Sequence, residues 1–281
     1  METEGELRSF RSRLMTLPFD ARVKIGEVSY QKGMRATSRR NRVIEILKEY
    51  DVPFTEVGTG TNRFIVKYDG FALKIALDKE GIADNKQEWV MAEMLSPDVS
   101  MAHEISKGGH LLVATYAPAF TSYAEMLGYQ TEIERILERW GERFLLGDVG
   151  FNRVNYANWG LLGSKPVCID YAYIFPASMD LFKCNCGCKR MKFVDHTCSE
   201  YKCVECGREY QDRELRCKIS QEERLRLFNS VEGLEMHSPM EEHMAAEKYL
   251  PKNTNPDAAN PDIATINYVR MKQGLPNSWT G

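Results

Sequence analysis

The chain has none of the features that mark a membrane protein, a secreted protein or a general binder of polyanions. No stretch of its 281 residues approaches the ~18 consecutive apolar residues of a membrane-spanning helix, so we expect no membrane association. Residues 1–6 are acidic and precede no apolar core, so we expect no signal peptide. A net charge of −3 and a pI near 6.0 give no general reason to expect nucleic acid or an anionic membrane as a partner. The absence of repeats and low-complexity tracts excludes a repeat array.

What the chain does have is the composition of an ordinary globular protein. Its hydrophobic fraction of 43% and its length suffice for one large or two modest domains and a small metal module. Both helical and strand periodicities occur, which predicts an α+β fold. Cysteine spacing typical of metal sites, without an export signal, predicts a reducing compartment.

The cysteines are concentrated in one short segment. Seven of the eight lie between Cys184 and Cys217, and 14 residues separate the cluster that ends at Cys188 from the one that begins at Cys203. Two such clusters joined by a ribbon are the arrangement that a tetrahedral zinc ion requires. Cys203 and Cys206, followed by a glycine that permits a tight turn, are predicted ligands, and two more come from the first cluster of Cys184, Cys186 and Cys188. A disulfide scaffold or reduced surface thiols are the alternatives.

Outside this segment the periodicity changes from helix to strand and back. Residues up to about 50 are charged and helical, and we assign the arginine cluster from Arg35 to Arg42 to a solvated helix face rather than to a phosphate or subunit contact. From Thr55 the pattern indicates a strand, a glycine turn and a second strand, and Asp69-Gly70 predicts a hairpin. Further helices are predicted at 84–95, about 131–145 and 221–228, strands at 71–77, 110–115 and 167–171, and an extended polar arm from residue 251.

Polar residues follow this pattern in an order that suits a bound nucleotide. The glycine turn contains Gly58 and Gly60, whose backbone amides can close over phosphates, and the strand after the hairpin carries Lys74, which can neutralise phosphate oxygens. A glutamate on the following helix would orient this lysine. Glu88 is the candidate, and Glu93 is the alternative.

Two residues further along the chain complete the set. Asn158 and the strand-ending Asp170 can hold the magnesium ion that bridges nucleotide phosphates. Each of these residues has an ordinary structural explanation when it is taken alone, such as a hairpin glycine or an edge lysine. Their joint order and spacing are what favour a nucleotide site.

With these motifs the chain resembles the protein-kinase-like proteins of tailed phages over roughly residues 55–175. The resemblance implies a two-lobed fold, with a small antiparallel-sheet N-lobe, a mostly helical C-lobe, and the zinc ribbon where an activation segment would lie. It implies ATP and magnesium as cofactors and gives Lys74 and Glu88 a catalytic role. Thr115 falls in the hinge that hydrogen-bonds adenine, and Asp170-Tyr171-Ala172 stands where kinases have Asp-Phe-Gly.

The chain departs from the family pattern at the catalytic aspartate. The family places this residue five positions before the metal-binding asparagine, and here that position is Arg153, which can neither accept a proton nor orient a hydroxyl as a carboxylate does. Asp148 lies ten residues before Asn158, and a looped-out segment would bring it into place. The third glycine of the loop is also missing, with Phe64 near its place.

Three functions follow from these observations. The first is an ATP-dependent phosphotransferase of a phage, in which Asp148 is the base. The second is a pseudokinase that keeps the fold and acts as a structural or interaction protein of a phage particle, which Arg153 and the polar arm favour. The third is nucleic-acid binding by the ribbon, which contains several lysines and arginines. Acidic residues in the same segment offset this positive charge, so a structural role for the zinc ion is preferred.

The expected organisation and setting complete the sequence-based account. Protein partners are expected from a phage assembly or a host, and the location is the host cytoplasm or the virion. The predicted segments are an N-terminal helical segment (1–52), an N-lobe (53–116), a C-lobe core (117–180), a zinc ribbon (181–218), a helical segment (219–250) and a polar tail (251–281).

Overall fold

The computed structural model describes residues 13–176, 184–188, 190–211 and 214, and these residues form the predicted α+β fold. The helices are α1 (Arg13–Thr16), α2 (Phe19–Tyr30), α3 (Ala36–Glu49), α4 (Lys79–Leu95), α5 (Tyr123–Leu127) and α6 (Gln130–Gly141). The strands are β1 (Thr55–Thr59), β2 (Arg63–Tyr68), β3 (Phe71–Ala76), β4 (Ala102–Ile105), β5 (Leu111–Thr115), β6 (Phe144–Leu146), β7 (Trp159–Leu162), β8 (Lys165–Cys168), β9 (Ile174–Pro176), β10 (Met191–Phe193), β11 (Glu200–Cys203) and β12 (Glu209–Gln211). The predicted helix at 221–228, the arm from residue 251 and Cys217 lie outside the described residues.

One five-stranded antiparallel sheet, in the order β1-β2-β3-β5-β4, organises the N-terminal half. The predicted hairpin between β2 and β3 turns at Asp69 and Gly70, both of which have a left-handed backbone. Its register pairs Ile65 with Lys74. Because side chains alternate between the two faces of a strand, this register places Arg63 and Ile65 on the same face as Lys74.

The opposite face of this sheet is apolar and is covered by the N-terminal helices. Phe64 and Val66 of β2 and Leu73 and Ile75 of β3 are buried in one cluster with apolar residues of α1, α2 and α3. Burying each of these side chains stabilises the fold by roughly 1.5–3 kcal/mol. The helices at the N-terminus therefore share their core with the sheet.

The arginine cluster lies on the outer side of α3. Arg40 pairs with Glu56 of β1, and Arg39 Nη1 lies 3.6 Å from the Asp78 carboxylate. The paired carboxylates are partly exposed. Pairs of this kind contribute at most about 1 kcal/mol. The Arg39 and Arg40 side chains are only 13% and 29% exposed, so the predicted solvated face holds for the exposed Arg35 and Arg42 and not for these two.

Helix α4 is positioned by tight backbone contact with the β1–β2 turn. The Asp78 carboxylate caps the helix by accepting a hydrogen bond from the Gly81 N–H at 3.0 Å. A Cβ atom at Gly81 would lie 2.2 Å from the carbonyl oxygen of Asn62, so only glycine permits this approach. The helix thus begins against the end of the glycine turn.

The middle of α4 buries five consecutive polar residues. Asp84, Asn85, Lys86, Gln87 and Glu88 each expose 4% or less of their surface. This burial requires partners on more than one side of the helix. The inner face of the sheet supplies some of them, and the C-terminal half supplies others, such as the Ile174 carbonyl that accepts from the Gln87 side chain at 2.7 Å.

The C-terminal half contains fewer helices in its described part than the family resemblance implies. Between residues 117 and 176 the helices are α5, α6 and a 3₁₀ turn, and the rest includes two two-stranded sheets, β6-β9 and β7-β8. The prediction that α6 extends to Leu145 is wrong, because Phe144–Leu146 pairs with Ile174–Pro176 as a strand. The core here includes Trp140 stacked on Trp159, with centroids 5.9 Å apart.

The cysteine-rich segment forms a three-stranded antiparallel sheet, β10-β11-β12. It packs closely on the C-terminal half, because a Cβ atom at Gly150 would lie 1.7 Å from the Thr197 carbonyl oxygen. Buried Cys198 belongs to the main core of that half. Across the described helices, none has the length and apolar character needed to cross a membrane.

Candidate functional site

A buried lysine–glutamate pair links the sheet to α4. Lys74 lies on β3 and donates a hydrogen bond to the Glu88 carboxylate, and both side chains are almost fully buried. Lys74 Nζ also donates to the Ile169 carbonyl at 2.6 Å. The alternative partner, Glu93, is exposed on α4. The lysine is therefore fixed between α4 and the residue that precedes Asp170.

Arg63 joins this pair to Asp170, and the sequence analysis did not identify it. Its Nη2 atom lies 2.9 Å from Glu88 Oε1 and 2.7 Å from Asp170 Oδ1, and its Nε atom lies 4.0 Å from Asp84 Oδ2. Only 6% of the Arg63 side chain is exposed, against 45% of the Asp170 side chain. The register of the predicted hairpin could have revealed Arg63, because it places this residue on the Lys74 face.

The charges of this cluster shift the pKa values of its members in opposite directions. Burial disfavours a charged guanidinium, but the carboxylates of Asp170, Glu88 and Asp84 outweigh it and raise the pKa of Arg63 further. Partial burial works against the charged form of Asp170, but Arg63 and Lys74 outweigh it and lower the pKa of Asp170. Both shifts favour the charged forms of Arg63 and Asp170.

The Asn158 side chain contacts the backbone of Asp148 across the ten-residue spacing. The Asn158 side-chain N–H donates to the Asp148 backbone carbonyl at 2.6 Å, and Asp148 has a left-handed backbone with φ of 56°. The backbone N–H of Asp170 donates to the Asn158 carbonyl at 3.3 Å. Arg153 lies on the exposed part of the intervening loop, with its guanidinium 5.8 Å from the centroid of the Tyr123 ring.

The glycine turn does not need its glycines for its own conformation. Neither Gly58 nor Gly60 has a left-handed backbone, and both are exposed. A Cβ atom at Gly58 would meet nothing within 4 Å, and one at Gly60 would make an ordinary 3.8 Å contact. The absence of a side chain at Gly58 and Gly60 would matter if another molecule approached the backbone there closely.

Thr115 ends β5 with its backbone groups already engaged. Its N–H donates to the Met101 carbonyl at 2.9 Å, and its own carbonyl accepts from the Ser100 hydroxyl at 2.5 Å. Adenine contacts at this edge would therefore fall to the next backbone groups, those of Tyr116 and Ala117. Lys67 Nζ lies 4.5 Å from the Tyr116 ring centroid.

Four cysteines form a separate candidate metal centre. The sulfurs of Cys184, Cys186, Cys203 and Cys206 all lie within 4.8 Å of one another. The Cys184–Cys206 and Cys186–Cys203 sulfur distances are 3.4 and 3.6 Å. A tetrahedral zinc ion with Zn–S bonds of about 2.3 Å needs sulfurs about 3.8 Å apart, and a disulfide needs about 2.05 Å. The four sulfurs can hold a metal ion, and the described cysteines form no disulfide.

Local turns select the two ligands from the first cluster. The Cys184 N–H donates to the Cys188 carbonyl at 2.8 Å, with Gly187 in a left-handed backbone between them. Cys188 is buried, and its sulfur accepts from the Arg190 N–H at 3.4 Å rather than joining the four-sulfur group. The turn therefore presents Cys184 and Cys186 to the second cluster.

Hydrogen bonds lower the pKa of Cys184, one of the four candidate metal ligands. The backbone N–H of Cys186 and the Tyr210 hydroxyl donate to the Cys184 sulfur and lower the pKa of this thiol to about 6. Cys184 is then mostly a thiolate at neutral pH, which is the form that binds metals.

Comparison with known proteins adds no relative. No protein-family model matches the chain, and no curated protein matches it.

Proposed function

We propose that this chain binds ATP in a protein-kinase-like site and holds a structural zinc ion in its ribbon. The observation that carries the nucleotide proposal is the buried Lys74–Glu88 pair, with Lys74 also bound to the Ile169 carbonyl beside Asp170. Asp170 lies two residues beyond the end of β8, so the predicted strand at 167–171 ends earlier than expected. A lysine fixed by a helix glutamate, next to an aspartate, suits the binding of nucleotide phosphates.

The surroundings of Lys74 support this proposal. The β1–β2 turn carries two exposed glycines that the fold itself does not require, so no side chain keeps a phosphate away from its backbone. The Gly60 N–H is already engaged, because it donates to the Arg63 carbonyl at 2.9 Å. The Asp170 carboxylate, next in the chain to the Ile169 carbonyl that binds Lys74, is half-exposed. Tyr116 and Ala117 follow β5, the strand that pairs with β3, and supply backbone groups for the base.

For phosphoryl transfer, Asp148 is the candidate base. Its backbone is held by the Asn158 side chain, so the nine residues between them form a loop, and the aspartate lies beside the asparagine despite the long spacing. A carboxylate there would accept the proton of the attacking hydroxyl.

A second candidate, nucleotide binding without transfer, is favoured by the Arg63–Asp170 ion pair. In this reading the fold acts as a pseudokinase that interacts with other proteins. The pair engages the carboxylate that would otherwise hold a catalytic metal ion.

Thermal unfolding of the zinc-loaded chain with and without ATP tests nucleotide binding. Ligand at about 100 times its dissociation constant stabilises the folded state by roughly 2.7 kcal/mol. We expect this stabilisation in the wild type and in the exposed control Lys48→Met, and its loss in Lys74→Met. No stabilisation of folded, zinc-loaded wild type would contradict the proposal.

Transfer is tested separately with radiolabelled ATP. If the chain is a phosphotransferase, label appears on an acceptor protein or on the chain itself, and Asp148→Asn removes this transfer while ATP still stabilises the fold. Binding without any transfer identifies the pseudokinase.

A further inference from the structure

The cluster around Asp170 does not suit the magnesium ion that the kinase resemblance implies. Asp170 Oδ1, the carboxylate oxygen that faces the cluster, is engaged by Arg63 Nη2 at 2.7 Å. A magnesium ion at Asp170 would lie next to a buried guanidinium whose like charge opposes it.

We propose that Arg63 takes the place of the divalent cation at Asp170, so that this chain binds ATP without magnesium. This inference rests on the proposed function. It goes beyond that function by assigning a permanent protein cation to the position of the expected metal ion.

The charge balance of the cluster supports this assignment. Three carboxylates, those of Asp84, Glu88 and Asp170, face two cations, Lys74 and Arg63, which leaves a net charge of −1 (−3 + 2). Without Arg63 the balance would be −2 (−3 + 1), which one divalent cation would offset. With Arg63 present, the protein groups at Asp170 offer a divalent cation one net negative charge instead of two, so the protein itself attracts the ion less.

The geometry makes Arg63 a fixed part of the site. Its guanidinium contacts Glu88 and Asp170 directly, reaches toward Asn85 Oδ1 at 3.5 Å, and lies beside Asp84. All these partners lie on α4 or at Asp170, and the arginine itself is on β2. Such a buried, multiply bonded arginine does not leave its partners readily.

The test compares the affinity for ATP with and without magnesium. Chelators would strip the ribbon metal, so divalent ions are removed from buffers and from ATP with a resin before use, and the zinc content of the protein is measured before and after titration. For wild type we expect the ATP dissociation constant to change less than about fivefold on adding excess magnesium chloride, which is the lower end of ordinary coupling between two ligands.

Substitution of Arg63 gives the matched comparison. Arg63→Gln leaves Asp170 free to bind a metal ion, so we expect magnesium to tighten ATP binding by more than about fivefold in this variant. Arg63→Lys keeps the charge and should behave like wild type. If Arg63→Gln does not fold because Glu88 loses one of its two cationic partners, the wild-type titration alone decides.

The outcomes separate this inference from the proposed function. Wild-type binding that magnesium tightens more than about fivefold overturns the role of Arg63 and leaves the nucleotide site intact. No ATP binding in either condition overturns both. Tight binding without magnesium supports both.

Manganese provides a second readout that does not involve nucleotide. Mn²⁺ prefers carboxylate ligands, as magnesium does, and its free form is visible by electron paramagnetic resonance. We expect wild type to leave added Mn²⁺ free and Arg63→Gln to bind it. Binding of Mn²⁺ by wild type that Asp170→Asn removes would contradict the inference.

Discussion

The Tyr201 hydroxyl makes two hydrogen bonds to the backbone of Leu146. It donates to the carbonyl at 2.5 Å and accepts from the N–H at 3.0 Å, and all of these groups are buried. Tyr201 belongs to the middle strand of the ribbon, and Leu146 ends the strand that leads to Asp148. The metal-binding module is thereby fixed to the segment that carries the candidate base.

The backbone of the following loop strengthens this attachment. The Phe151 N–H donates to the His196 carbonyl at 2.6 Å, and the Asn152 side chain donates to the Thr197 carbonyl at 3.2 Å. The ribbon therefore contacts three consecutive residues of the loop, Gly150, Phe151 and Asn152. We infer that the ribbon orders the loop between Asp148 and Asn158.

Tyr201→Phe should destabilise the fold. The variant leaves the Leu146 N–H and carbonyl without their partner in a buried place, and each unsatisfied group costs about 1–3 kcal/mol. Chemical denaturation of the zinc-loaded chain measures the change. The control is Tyr129→Phe, because no hydrogen bond of the Tyr129 hydroxyl occurs among the described residues, and we expect a change within about 0.5 kcal/mol. Equal stability of the two variants would contradict the attachment.

Metal analysis distinguishes the ligands from their neighbour. We expect one zinc ion per chain, retained by Cys188→Ser and lost by Cys206→Ser, because the Cys188 sulfur is outside the four-sulfur group. Release of zinc from purified variants is measured with a colorimetric chelator. Retention in Cys206→Ser together with loss in Cys188→Ser would show that a different set of cysteines binds the metal.

Lys86 should make stability depend on pH. Burial lowers the pKa of Lys86 to about 8, below its ordinary value of 10.5. Between pH 8 and pH 10.5 the unfolded chain binds more protons than the folded chain, so the free energy of unfolding rises with pH. Below pH 8 Lys86 is protonated in both the folded and the unfolded chain, and the folded state bears the full free-energy cost of burying its charge. The rise is at most about 3 kcal/mol.

Lys86→Met is the variant that checks this dependence. It removes the buried charge and keeps an unbranched apolar stem beside Gly109. We expect it to lose the additional rise in stability toward pH 10.5. Subtracting the unfolding free energy of one protein from that of the other at each pH removes the contribution of the other titrating groups. A constant difference in unfolding free energy across this pH range would contradict the assignment.

The glycine turn should separate ligand binding from stability. Gly58→Ala and Gly60→Ala place a methyl group in open space or ordinary contact, so we expect unfolding free energies within about 0.5 kcal/mol of wild type. We also expect weaker ATP binding, because the methyl groups obstruct the approach of phosphates. Gly81→Ala is the contrasting control, since its methyl group would meet the Asn62 carbonyl and destabilise the fold. Unchanged ATP affinity in both turn variants would exclude phosphate contact there.

The sequence predicts the parts of the fold that depend on local chemistry. The Asp69-Gly70 turn and the alternation that follows it predict the β2–β3 hairpin, and the helical periodicity after Asp84 predicts most of α4. The strand Phe144–Leu146 is missed because a short apolar run after a helix has no periodicity of its own. Its strand pairing comes from Ile174–Pro176, far along the chain.

The sequence likewise predicts only those parts of the candidate sites that depend on local spacing. Cysteine spacing predicts the ligand-bearing segment, but the choice of Cys186 over Cys188 depends on the turn at Gly187, which spacing does not reveal. Arg63 is missed because an arginine at the start of a strand is normally solvated. Its burial depends on carboxylates from α4 and from Asp170, which only the tertiary structure brings together.

Hydrogen exchange of the zinc-loaded chain with and without ATP tests the nucleotide site most directly, because it locates the ligand as well as detecting it. We predict protection of the β1–β2 turn around Gly58–Asn62, of Tyr116–Ala117 and of Asn158–Asp170, with the same regions unprotected in Lys74→Met. Absence of protection in these segments at saturating ATP, or protection confined to the cysteine ribbon, would contradict the account.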